Sequence, residues 1–405
     1  MLAAMVATTP FHERLSTLND QHLYTHWQGY LSALRYSHAP KHEYFAVRNS
    51  VGIFDTSPLY KYRVTGPDAE RFLAGLVVRD VRLVRPGRAA YTPWCDERGF
   101  VMEDGILFRH SAEEFVLTSA RPTLAWLEQH RHHAKVEISD VSDEFGMLAV
   151  QGPRSRTVLG ALTDVVNHLG YFDLATGEIA GAEVTVSRTG FTGDLGFELT
   201  VPADRCTDVL DAVLEAGEGH GLRPFGEEAL NMLRIEAGLP LVDVEWVDST
   251  LAWNDEQRVT PTELGMGWML KGVRDGSRRF IGSSAIRREL EEGTSRWATT
   301  GIVLDWQDWN RLHRHKGLLP VKDEIPLGWE SWIRDADGQQ VGYATSLMYS
   351  PVLQRHIGIA RVRPDLAKPD TPLQVETTIL HTTELVRATT TPMPFFNPER
   401  KVAKP

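Results

Sequence analysis

Two segments of this chain echo one another, and the echo limits what the chain can fold into. Val64-Thr-Gly-Pro-Asp-Ala-Glu-Arg-Phe-Leu73 and Val150-Gln-Gly-Pro-Arg-Ser-Arg-Thr-Val-Leu159 lie 86 residues apart. In each, an alternating strand (Tyr60-Lys-Tyr-Arg-Val64; Met147-Leu-Ala-Val150) meets Gly-Pro, and an amphipathic helix follows. Proline fits a first helical turn, where its missing N–H costs nothing. Two strand–Gly-Pro–helix units imply two related α+β modules rather than one large sheet or a solenoid.

The first module continues as a hairpin. A strand over Ala89–Trp94 ends near Pro93, Cys95–Gly99 turns, and Phe100–Phe108 returns. Further on, Arg188-Thr-Gly-Phe-Thr-Gly-Asp-Leu-Gly-Phe-Glu-Leu199 sets three glycines around a hydroxyl and a carboxylate, then resumes strand alternation. On that strand Glu198 faces away from Phe197 and Leu199. Leu233-Arg-Ile-Glu-Ala-Gly238 places Arg234 and Glu236 in an otherwise apolar helix, with Glu227, Asn231 and Arg234 on one face. A carboxylate and a guanidinium aimed at one cavity suit a flat ligand with amide-like donors and a carboxylated tail, and folates are such ligands. The bland alternative pairs Glu198 with Arg188, and Arg234 with Glu236 or Glu198. From Trp297 onward short β-type runs alternate with turns, and Asp337-Gly338 is a strong hairpin signal.

The formal net charge of −11 offers no basic excess for a nucleic acid or an anionic membrane. Cys95 and Cys206 lack CxxC partners, and His130-Arg-His-His133 reads as a solvated helix end, so no metal site is expected. No apolar run approaches a membrane span. The apolar start, Met1–Ala7, lacks the basic region of a secretory leader, which makes the cytoplasm the default. Trp306, Trp309, His313 and His315 read as a surface loop with buried tryptophans, or as an aromatic lid.

Gly52-Ile-Phe-Asp-Thr-Ser57, both Gly-Pro units, Arg79-Asp-Val81, Gly190–Leu199, Arg234–Gly238, Met266-Gly-Trp268 and Thr345-Ser…Tyr349-Ser-Pro351 fall in one order. That order resembles the glycine-cleavage T-protein (aminomethyltransferase) family nearly end to end. The resemblance implies a three-domain cloverleaf, α+β with a C-terminal all-β domain, around a central hole for tetrahydrofolate. It implies a discontinuous first module over 1–57 and 145–254, a second over 58–144, a linker over 255–290 and a β domain over 291–405.

It also implies roles. The family's reacting acid is the first Asp of Gly-Gly-x-x-Asp-Asp; here Glu103 stands there, with Asp104 after it. Neighbours on a strand face opposite ways, so at most one is expected in the cavity. Tyr91, Phe191, Glu198, Arg234 and Trp268 match folate-binding positions. Leu59, Tyr60, Tyr62 and Thr118 are expected to line a donor pocket. Pro58, Glu103 and Phe191 depart from the family pattern, where His, Asp and Tyr stand. These departures point to a demethylase-like transferase that moves a methyl or aminomethyl group from a small N-, O- or S-linked donor to tetrahydrofolate. The alternatives are a glycine-cleavage aminomethyltransferase acting on a lipoyl carrier protein, and a non-catalytic folate-binding regulator.

Overall fold

The computed structural model describes residues 6–328 and 330–405. Most of the apolar start weighed above as a leader lies outside the described residues. The chain forms two compact units. One comprises residues up to Trp94, Glu103–Leu230 and Pro398–Pro405; the other comprises Cys95–Met102 and Asn231–Asn397.

The first unit is built on two sheets. In the six-stranded sheet the spatial order is Leu174–Ile179, Ala182–Ser187, Gly196–Pro202, Phe145–Gln151, Val51–Asp55 and Leu222–Pro224, antiparallel except for the last pair. The five-stranded sheet runs Arg88–Cys95, Val101–Arg109, Glu114–Ser119, Tyr60–Thr65 and Glu137–Asp140. Inward positions such as Val150, Phe197 and Leu199 join the Cys206–Gly217 helix in one apolar core. Burial of that face is the main force holding the sheet in register.

The repeat is conformational as well as sequential. Gly66 has φ +125° and Gly152 φ +123°, and a Cβ would meet Lys135 O at 2.4 Å or the Ser50 and Val47 carbonyls at 2.6 Å. Only glycine fits either turn. The residues before the helices also match, Asp68 at φ −99°, ψ 2° and Arg154 at φ −98°, ψ 1°. The prolines, however, stand two residues before the first helical position. Pro67 and Pro153 precede the N-cap residues, and the helices begin at Ala69 and Ser155. Pro93 does not end its strand, which runs to Cys95. That strand lies at the sheet edge, where a missing donor is tolerated, and the Pro93 carbonyl accepts Val78 N at 3.0 Å.

The second unit holds a closed barrel of Ala298–Leu304, Arg355–Val362, Gln340–Ser350, Ser331–Arg334, Pro372–Ile379 and Thr382–Thr391. The segment expected as a loop or lid is a helix, Trp306–His315, capped by Asp305, whose Oδ1 accepts Gln307 N at 2.9 Å and Asp308 N at 3.0 Å. In the tail, Phe395 lies against Gly301, where a Cβ would come within 2.8 Å of its ring. Phe396 N donates to Glu236 O at 2.8 Å.

Candidate active site

The acid pair sits where the pairing of two strands is interrupted. Val101–Arg109 pairs with Glu114–Ser119 at Leu107–Arg109. Before that, Gly105 presses on its neighbour so closely that a Cβ would lie 1.7 Å from Thr118 O. The Thr118 hydroxyl accepts Ile106 N at 3.1 Å in place of a ladder bond. In this irregular stretch the two carboxyl groups lie near enough to act on one another. Glu103 turns back so that its Oε1 accepts the amide of Asp104 at 2.8 Å, while Asp104 Oδ2 accepts the Tyr91 hydroxyl at 2.7 Å. Glu103 is 2% exposed, and its Oε2 is buried with no partner among the described residues.

Burial, reinforced by the Asp104 charge, pushes Glu103 up to about 9. Burial also raises Asp104, to about 6, against the lowering effect of the Tyr91 bond. Burial and the same carboxylate lift the Tyr91 phenol well above its usual value. At neutral pH the group is therefore a neutral acid beside a carboxylate, a division of labour set by environment.

Glu198 alternates between buried Phe197 and Leu199 and accepts the Thr189 hydroxyl on Oε2. Burial raises its pKa and the Thr189 bond opposes that. The loop before it rests on Gln151, which the sequence reading passed over. Gln151 Nε2 donates to Thr189 O at 3.2 Å and Phe197 O at 3.1 Å, and Thr192 donates to its Oε1 at 2.9 Å. A Cβ on Gly190 or Gly196 would come within 2.1 or 2.2 Å of that amide. Asp194 is buried and held by Arg400 at 2.6 and 2.7 Å, with Arg48 at 3.7 Å. Arg188 does not pair with Glu198. It donates to the carbonyls of Leu169, Arg400 and Lys401, each at 3.1 Å. Phe191 is half-buried in the loop.

In the second unit Arg234 is 1% exposed, and its guanidinium bonds to groups other than the expected Glu236 and Glu198. Nη1 binds Glu245 at 2.7 Å and Leu239 O at 3.3 Å, Nη2 binds Ser346 at 3.0 Å, and Nε binds Asn231 at 3.2 Å. Glu245 also accepts Leu241 N at 2.7 Å and the hydroxyls of Ser346 and Thr345 at 2.6 and 3.1 Å. Every guanidinium nitrogen thus has a protein acceptor, and Thr345-Ser346 belongs to the same network. Trp268 is 62% exposed on the Gly267–Met269 turn.

The expected donor-pocket set divides. Tyr62 is fully buried, with its hydroxyl accepting Thr123 N at 2.8 Å, and Thr118 is buried with its hydroxyl on Ile106. Both side chains are buried and hydrogen-bonded within the five-stranded sheet unit. Tyr60 stacks on Tyr62 at 6.2 Å, and Leu59 lends its carbonyl to the buried Lys61 ammonium at 2.8 Å. Among the described residues there is no cluster of His, Cys, Asp or Glu that could hold a metal, and no helix is long and apolar enough to cross a membrane.

The GCVT N-terminal domain family matches residues 12–273, and the glycine cleavage T-protein C-terminal barrel domain family matches residues 314–397. The chain belongs to the glycine-cleavage T-protein family. It is 33% identical over 362 residues to an aminomethyltransferase of Geobacillus kaustophilus, covering 88% of this chain and 90% of that one. It is also 33% identical over 374 residues to an aminomethyltransferase of Saccharopolyspora erythraea, covering 91% and 93%. The crystal structure of the glycine cleavage system aminomethyltransferase T from Bartonella henselae shares the fold, with a TM-score of 0.80 at 22% identity over 97% of this chain and 98% of that one.

The two sheets and the closed barrel are therefore the T-protein fold, and the chain is a folate-dependent one-carbon transferase. These relatives favour aminomethyl transfer over the small-donor demethylase expected from Pro58, Glu103 and Phe191. Tetrahydrofolate is the co-substrate of this family, and the residues present fit it. The half-buried Glu198 offers the acceptor that a ligand rich in N–H donors requires, and the orphaned Glu103 Oε2 is a buried polar atom that a ligand would satisfy.

Proposed function

We propose that this T-protein relative takes the aminomethyl group from a sulfur-linked lipoyl carrier and delivers its carbon to tetrahydrofolate. The observation that supports this most is the buried neutral Glu103 beside Asp104, at the family's position for the reacting acid. In the overall reaction the carbon parts from sulfur and from its amine, and the products are methylene folate, ammonia and the free thiol. Tetrahydrofolate, when bound, supplies the two nitrogens that receive the carbon.

The chain's own residues then have separable tasks. Glu103 holds a proton on an oxygen without a protein acceptor, so it is placed to protonate the departing amine or sulfur. Asp104, oriented by Tyr91, keeps a negative charge that favours a cationic donor carbon in a low-dielectric setting. Glu198, one oxygen fixed by Thr189, accepts from the ligand's amino-amide edge. Phe191, half-buried in the same loop, offers flat apolar surface to the ring system. We assign Arg234 a positioning task through Glu245, since its nitrogens already have acceptors.

The test offers tetrahydrofolate with an aminomethylated lipoyl carrier protein in one arm, and with a panel of small N-, O- and S-methyl donors in the other. Folate products are followed by mass. Methylene folate and ammonia from the carrier arm are expected. Methyl folate from small donors alone would overturn the assignment in favour of the demethylase reading. Folate binding without turnover in either arm would leave only a binding protein.

A further inference from the structure

Arg361 is a buried cation for which the described residues supply no counter-charge. It lies between Ala360 and Val362 of the barrel core, so strand alternation turns its side chain to the outer wall. There it is 3% exposed. Nη1 donates to the Tyr343 hydroxyl at 2.8 Å, and the guanidinium carbon stands 5.7 Å from the centroid of the Tyr343 ring. Nε and Nη2 are buried and have no partner among the described residues.

The neighbouring strands continue the row. Thr299, Arg361, Tyr343 and Trp332 are successive partners across four strands of the barrel. The ring of Trp297 meets Tyr343 edge-on at 5.5 Å, and that of Trp332 does so at 6.2 Å. Trp297 Nε1 is a further buried donor without a partner among the described residues. Trp332 is 46% exposed and forms the outer rim. Glu263, the acid beside Trp297, is already engaged: its carboxylate accepts Thr260 N at 3.1 Å, Arg296 N at 2.7 Å and Trp297 N at 3.4 Å.

A guanidinium taken out of water needs an anion or several acceptors, and a single hydroxyl falls short of that. The orphaned atoms here are donors only, two on the guanidinium and one on an indole. Nε and Nη2 form the side-on edge of the fork, two parallel N–H groups that match two oxygens on one carbon or phosphorus.

We propose that this face of the barrel binds an oxyanion, a carboxylate or a phosphate, on the Nε–Nη2 edge of Arg361 with Trp297 Nε1 as the third donor. The site uses none of the residues assigned to tetrahydrofolate and stands independently of that assignment.

The experiment titrates the full chain with inorganic phosphate in one arm and benzoate in the other, with choline chloride as the ionic-strength control. The readouts are the thermal midpoint and the indole fluorescence. The anion that fits should raise the midpoint by about 3 °C at about tenfold above its dissociation constant, with the emission changing over the same range. Chloride should do neither, and the arm that responds tells a tetrahedral ligand from a planar one. Arg361→Met should lose the response, keeping only the general stabilisation that phosphate gives any fold. Trp297→Phe keeps the ring and drops one donor, so the dissociation constant should rise by about five- to tenfold. That variant carries the test alone should Arg361→Met fail to fold. No response to either anion in the unsubstituted chain, or an undiminished response in either variant, overturns the proposal. So does a raised KM for tetrahydrofolate in Arg361→Met with no effect of free anions, which would make Arg361 part of the folate site.

Discussion

Glu103→Gln should make the protein more stable while slowing it. The native fold keeps Glu103 protonated up to about pH 9, whereas in the unfolded chain the same group loses its proton near 4.5. Between those limits the folded state binds the extra proton, so the contribution of this group to stability is full below pH 4.5 and is lost as pH rises towards 9. The slope is about 1.4 kcal/mol per pH unit, which puts the loss at roughly 3 kcal/mol by pH 7. Glutamine has nearly the same shape, keeps an acceptor for the Asp104 amide and titrates nowhere in this range. The variant and the unsubstituted protein should therefore have nearly equal denaturation midpoints at pH 4.5, with the variant pulling ahead steadily to pH 8. Turnover should fall by about 100-fold or more, the usual worth of a positioned proton donor. Equal pH dependence in the two proteins would refute the buried neutral acid. So would a variant less stable at pH 8.

Glu198→Gln should weaken tetrahydrofolate binding by about 2–4 kcal/mol in calorimetry, since an acceptor facing the ligand's donors becomes partly a donor. Arg234→Met should cost about 3–5 kcal/mol in the unfolding of the second unit, because Glu245 is left charged and buried; adding Glu245→Gln should recover part of that loss in a double-mutant cycle. His356 is buried with both ring nitrogens unpartnered among the described residues, and burial, with a smaller contribution from His313, depresses it to about 4. The unfolded chain binds the proton first, so this group destabilises the fold as pH falls from 6.5 towards 4. His356→Phe should therefore raise the midpoint by the equivalent of about 2 kcal/mol at pH 5 and leave the pH 8 value within the ordinary range of a core swap.

What could be read from the chain alone follows from how local each cause is. The Gly-Pro repeat was legible because a positive φ against a neighbouring carbonyl excludes every residue but glycine. Glu198 was legible because alternation with Phe197 and Leu199 fixes its face. The hairpin at Asp337-Gly338 announced the Ser331–Arg334 and Gln340–Ser350 pair through Gly338, at φ +77°. The acid pair was only half legible. Its position was clear, but the return of Glu103 onto the Asp104 amide, beside the close approach of Gly105 to Thr118, was not. Arg234 found Glu245, beyond the end of its helix and outside any helical spacing. The Trp306–His315 helix was missed because its aromatic texture outweighed the single capping signal of Asp305. The donor reading gave too much weight to Pro58, Glu103 and Phe191 against a likeness that runs along most of the chain.

The seat of the glycine-rich loop on Gln151 has an evolutionary consequence. One amide fills the space that side chains at 190 and 196 would need, and it also holds the main chain of residues 189 and 197. The three positions are therefore not free to drift separately. A methyl group at 190 or 196 requires a smaller residue at 151, and a smaller residue at 151 forfeits the bonds that pin the loop. Positions 151, 190 and 196 should vary together or not at all among sequences that keep this loop, with intermediates on the path between two such solutions selected against.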